Sequence, residues 1–170
     1  MNSAQTIAAI IKSSHDWYNG TVADVTQEQA DFLPGGVAHP IGELMTHIAN
    51  SEDSIVNSMI LGKPSVWDRG GWSKKLGVEN MMLHTTQQAR NFKVNIKTLA
   101  EYSKAVQSAV DAYAEKLTDH DLERLVDAGG PLGKMPVSAL LTGIMVGNTF
   151  AHTGEISALK GLKGAKGYPF

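Results

Sequence analysis

Four stretches of this 170-residue chain place apolar side chains three and four residues apart, the spacing that gathers them on one face of an α-helix. Ile7, Ile10, Ile11, Tyr18 and Val25 mark the first, with His15 on the same side. Ile41, Leu44, Met45, Ile48, Ile55 and Met59 mark the second, and Leu99, Tyr102, Val106, Ala109, Tyr113 and Leu117 the third. Val137, Leu140, Leu141, Ile144, Ala151 and Leu159 mark the fourth. Such faces leave water only by packing on one another, and strand signals are scarce. The pattern predicts an all-α protein, a four-helix bundle with long connections, with residues 1–170 forming a single domain.

The ends of the helices are marked by local chemistry. Thr26-Gln27-Glu28-Gln29 reads as a capping box for a short helix, stopped by Pro34-Gly35-Gly36. Pro40 suits the first turn of the second long helix, and Gly62 and Pro64 end it. Residues 64–80 form a connection with two tryptophans, Trp67 and Trp72, either packed on the bundle or lining a pocket mouth. Residues 83–97 read as helical with a weak stripe, and Thr118 to Asp121 as a cap. Arg124 to Pro136 is a loop or a small hairpin.

Composition narrows the function classes. The chain has no cysteine, which removes disulfides, thiol nucleophiles and thiolate metal sites. Its net charge is −2, with lysine and arginine scattered, so the basic stripe of a nucleic-acid binder is missing. No apolar run approaches the roughly 18 residues of a membrane span, and the first residues lack the features of a signal peptide. A cytoplasmic protein is expected, with neither nucleic acid nor membrane as partner.

The fourth stripe is interrupted by polar residues. On a wheel of about 100° per residue, Asn148 and Glu155 fall at its centre and His152 within about 60°. Burying such groups without partners costs a few kcal/mol each, so they need partners or line a pocket. Asn148 and His152 are four residues apart and lie one above the other, so one helix can offer both to a single metal ion. A third ligand would come from a facing helix, and His47, on the flank of the second stripe, is the candidate.

The segment His39-Pro40-Ile41-Gly42-Glu43-Leu44-Met45-Thr46-His47-Ile48-Ala49-Asn50-Ser51-Glu52 resembles the second helix of the DinB-like superfamily. Asn148-Thr149-Phe150-Ala151-His152-Thr153-Gly154-Glu155-Ile156 resembles that family's fourth-helix signature, a histidine followed four residues later by a second histidine and then by X-Gly-Gln/Glu-Ile. The resemblance runs through nearly the whole chain in helix order. It implies a four-helix bundle, a divalent ion (zinc or nickel) held by three histidines, and hydrolysis or transfer of a low-molecular-weight thiol to a small molecule. His47 and His152 match two of those ligands. Asn148 stands where the first fourth-helix histidine belongs, and an amide oxygen is a weaker ligand than imidazole for zinc or nickel. The ion is then held more loosely, or another group replaces the missing histidine, or the metal is lost.

Two replacements are open. Glu155 could complete a two-histidine, one-carboxylate site, serve as general base, or be structural. His15 could serve if its face points inward. Otherwise His15, like His39, His84 and His120, reads as ordinary. Glu43, four residues before His47, could bond its other ring nitrogen or be a solvated first-turn acid. Gly143, Gly147 and Gly154 suggest a close contact within the bundle or across a homodimer. The alternative to an enzyme is a metal-free ligand-binding or scaffold protein that keeps the bundle.

Overall fold

The computed structural model describes residues 1–79 and 85–170, so His84 and the start of the weak stripe at 83–97 lie outside the described residues. Helix α1 (Ser3–Val22) opens on a capping box between Asn2 and Gln5. The short α2 (Gln27–Ala30) carries the expected Thr26/Gln29 box. Helix α3 (Ile41–Asp53) starts after Pro40 and runs on as a π-helical segment, Ser54–Ile60. The connection beyond Gly62 holds two short helices, α4 (Val66–Gly70) and α5 (Trp72–Leu76), which the sequence reading left as irregular chain. Of the weak stripe at 83–97, α6 (Thr86–Asn91) and the first two residues of the next helix are helical among the described residues. Helix α7 (Ile96–Ala114) and the capped α8 (Asp119–Glu123) follow. The glycine-rich stretch is a small antiparallel hairpin, β1 (Leu125–Asp127) and β2 (Lys134–Pro136). The chain ends in α9 (Val137–Ala139), a second π-helical segment (Leu140–Val146), α10 (Gly147–Leu162) and the segment 163–170.

The four long helices close a ring: α1 packs on α7 and α10, and α3 packs on the same two. Ile11, Ile48, Tyr102, Val106, Leu140, Leu141 and Ile156 meet at its centre, all essentially sealed from solvent. Each such aliphatic side chain contributes roughly 1.5–3 kcal/mol of transfer free energy. The connection is held by Asp53, buried at the end of α3. Its carboxylate accepts from the Val66 and Trp67 amides at 2.8 and 2.9 Å, from Asn57 at 3.0 Å and from the Tyr102 hydroxyl at 3.1 Å. Trp67 and Trp72 pack on the Tyr102 ring, so both are core rather than pocket mouth.

The second π-helical segment changes which face of α10 is inside. Its hydrogen bonds reach back five residues, as from the Gly147 amide to the Thr142 carbonyl. A turn of this kind holds one more residue than an α-turn, so everything after it is rotated by about 100° relative to an unbroken helix. The buried positions of α10 are Thr149, Thr153, Ile156, Leu159 and Lys160. The wheel had placed Asn148, His152 and Glu155 inward; the observed inward residues are those one position further on. Asn148 and His152 therefore lie half-buried at the edge of the core, and Glu155 is exposed.

Lys160 is buried because of that rotation. Its ammonium donates to the Thr21 carbonyl at 2.6 Å, to the Asp24 carboxylate and to the Gly167 carbonyl at 3.3 Å. It thereby ties the end of α1 to the segment 163–170. That segment lays Tyr168 and Phe170 against Trp17, which also meets Phe150. Gly20 lets it pass: a Cβ there would sit 2.8 Å from Pro169. Gly154 faces the Tyr168 hydroxyl, whereas a Cβ at Gly143 would meet nothing.

Candidate functional site

Helices α3 and α10 cross where His47, Asn148 and His152 lie. His47 is the one residue of α3 that is not fully buried. Asn148 and His152 come from successive turns of the facing helix. The His47 and His152 rings meet edge to face, with centroids 4.8 Å apart and planes at 84°. The Asn148 Nδ2 lies 3.2 Å from His47 Nε2. Asn148 Oδ1 is buried and, among the described residues, has no hydrogen-bond partner. Three residues distant in sequence, His47 from one helix and the Asn148/His152 pair from another, are thus brought into one cluster.

Glu155 joins this cluster from outside. Its Oε2 accepts from His152 Nδ1 at 2.8 Å, with the glutamate side chain 57% exposed and the histidine 24% exposed. The contact is screened by water and contributes little to stability. It does fix the ring: a proton on Nδ1 leaves the lone pair on Nε2, the nitrogen free to take a ligand. The expectation that Glu155 sits at the centre of the buried stripe fails, for the rotation described above.

His15 points inward, as the first stripe suggests, but to a different place. Its Nδ1 lies 2.9 Å from Asp111, and its Nε2 lies 3.3 Å from Glu52 without the alignment of a hydrogen bond. Glu52 is buried and accepts from the Thr149 hydroxyl at 2.8 Å. Burial opposes charging of His15, but Glu52 and Asp111 together outweigh it and raise its pKa above the ordinary 6.5. This is a structural ion pair inside the bundle, and among the described residues His15 does not reach the His47 cluster.

A cleft of about 400 Å³ opens beside the cluster, lined by Val37, His39, Leu44, His152, Glu155 and Leu159 among others. Its walls are mostly apolar with a few convergent polar groups, the usual make-up of a small-molecule site. Glu43 is buried rather than solvated, and its Oε2 lies 3.0 Å from His39 Nδ1. From the sequence His39 reads as an ordinary loop histidine. The signal was the four-residue spacing to Glu43 across the start of α3, which puts a loop histidine over a first-turn acid.

A divalent ion can be tested against these groups. Two imidazoles bound to one ion at about 2.1 Å place their centroids roughly 5 Å apart, close to the 4.8 Å observed. Asn148 Oδ1 is an unpartnered oxygen beside them. The donor set therefore fits a cation held by two imidazoles and one amide oxygen. Among the described residues, no group of three or more His, Asp or Glu side chains is disposed to share an ion.

Among the described residues no helix is long and apolar enough to cross a membrane. No curated protein matches the chain. Its fold is similar to that of a crystallised conserved protein from Enterococcus faecalis, with a TM-score of 0.79, 17% identity, and 94% of this chain and 96% of that one covered. At that identity the likeness establishes the fold alone. The family model of the DinB superfamily matches residues 12–156, from within α1 to within α10, and includes both sides of the cluster. The chain belongs to the DinB superfamily.

Proposed function

We propose that this protein is a metal-dependent enzyme acting on a small molecule, a hydrolase or a transferase of a low-molecular-weight thiol. In this reading His47 and His152 hold a divalent ion and Asn148 supplies a weaker third contact. The observation that carries it is the pairing of two imidazoles from separate helices, 4.8 Å apart, with the orphaned Asn148 oxygen beside them. Membership of the superfamily and the adjacent apolar cleft support it. A divalent ion supplies Lewis acidity, lowering the pKa of a water or thiol and polarising a carbonyl.

The chain's own residues do the rest. Glu155 holds the His152 ring through Nδ1, which leaves Nε2 as the nitrogen for the ion, and so acts through His152 rather than as the base. Leu44 and Leu159 give the cleft an apolar wall that excludes water around the reacting atoms. The absence of cysteine means that a thiol nucleophile arrives as a cosubstrate. Zinc or nickel is the expected ion, by the preference of imidazole donors.

One observation favours a second reading, in which the bundle is kept without a metal. The Asn148 amide can donate to His47 Nε2 across 3.2 Å and occupy the lone pair that an ion would use. Titration calorimetry with zinc and nickel separates the two. The first reading predicts one site per chain in the wild type and at least about tenfold weaker binding in His47→Ala and His152→Ala. No binding, or equal binding by all three proteins, would support the second.

A further inference from the structure

The cleft has a second histidine–carboxylate pair that the metal reading does not use. His39 lines it alongside His152, and its Nδ1 is held at 3.0 Å by Glu43, whose side chain is 4% exposed. A carboxylate on Nδ1 fixes the tautomer that leaves the lone pair on Nε2 and stabilises the imidazolium when that nitrogen takes a proton. Among the described residues His39 Nε2 has no hydrogen-bond partner, while a third of the side chain is open to solvent. The pair is thus built like a general base: a fixed ring, a buried counter-charge and a second ring nitrogen without a partner, on a residue that lines the cleft.

We infer that His39, positioned by Glu43, is the proton acceptor of this cleft, and that the molecule it serves has a compact apolar body and a single X–H group, a thiol or a hydroxyl. The apolar side is read from Val37, Ala38, Leu44, Ala158 and Leu159. The X–H group is read from His39, whose Nε2 carries the lone pair when the Nδ1 proton is held by Glu43. In the step, the X–H bond breaks, its electrons stay on X as the nucleophile, and the proton bonds to His39 Nε2. The resulting imidazolium is neutralised by Glu43; X then bonds to the electrophilic carbon of a second small molecule, that carbon's bond to its leaving group breaks, and His39 Nε2 gives the proton to the departing group. The proposal rests on the reading of this cleft as the substrate's place.

Diethyl pyrocarbonate, which acylates unprotonated imidazole nitrogen, tests the pair without needing the substrate or a metal. Labelling at each histidine is followed by peptide mass spectrometry, with the exposed His120 as internal reference. His39 is expected to react faster than His120 and to slow by about tenfold in Glu43→Gln, the loss of one charge-assisted bond. Glu43→Asp, which keeps the charge, is the companion should burial of the amide unfold the chain, and it should retain part of the rate. Benzyl alcohol at tens of millimolar should shield His39 and leave His120 unchanged. A His39 rate at or below that of His120, indifference to both Glu43 variants, or no shielding would overturn the proposal. Because labelling reads His39 with or without a bound ion, a negative outcome here is separable from a failure of the metal reading.

Discussion

Replacing Asn148 by leucine should make the protein more stable and worse at holding an ion. The amide is half-buried, with one polar atom partnered and one orphaned. Relieving the buried, unsatisfied oxygen returns about 1–3 kcal/mol, while losing the bond to His47 costs about 0.5–1.5 kcal/mol. Leucine adds a few tenths of a kcal/mol of helix propensity over asparagine. His47 is not fully buried, so water can replace the lost donor. The balance is a gain of about 1 kcal/mol, or a rise in Tm of about 2–4 °C for a chain of this size. Thermal unfolding followed by circular dichroism, without added metal, reads the first half. Zinc titration reads the second, with affinity expected to fall by about tenfold. A drop in Tm of similar size would show that the amide is an internal strut, and unchanged zinc affinity would show that position 148 does not serve the site.

Other outcomes follow from the same geometry. Lys160→Met removes a buried cation with three acceptors; because Asp24 is largely exposed and stays solvated, the loss should be about 2–3 kcal/mol, read as a lower urea midpoint. His15 has a raised pKa, so its contribution is fully present below the unfolded value of 6.5 and is lost as pH rises through the higher folded value. Urea stability should therefore decline above pH 6.5 through this group, and His15→Gln should flatten that slope; an unchanged slope would refute the assignment. Deleting the exposed Gly143 from the middle of the π-helical segment should leave a folded protein with a Tm within a few degrees of wild type, because α10 keeps its inward face. Deleting Ser157 within α10 should unfold it, since Leu159 and Lys160 would turn out of the core.

The bundle was legible because its stripes and caps are local: Thr26/Gln29 and Thr118/Asp121 form the boxes that their spacing predicts. The juxtaposition of His47 with Asn148 and His152 was legible only through the pairing of two distant motifs. The burial of Glu155 was misjudged because a wheel assumes one period, and nothing in Leu140–Val146 announces a wider turn. The extra residue moves Ile156 and Lys160 inward and leaves Glu155 in water. His15 was correctly turned inward, but its partners Glu52 and Asp111 belong to other helices, and no local spacing reveals them. For Glu43 the sequence leaves open a bond to His47 or a solvated first-turn acid; it is buried, and the loop carrying His39 folds over it. The first helix of the 64–80 connection combines a local Ser65 cap with Asp53, which accepts from its first amides from across the fold, a tertiary contact that composition does not carry.

The most direct trial is the metal content of the protein purified without a histidine tag, measured by mass spectrometry after exposure to zinc or nickel and removal of excess. Binding through His47 and His152 predicts about one ion per chain, lost when either imidazole is removed. A chain that emerges empty after soaking would contradict it and leave the pair as a hydrogen-bonded strut between two helices.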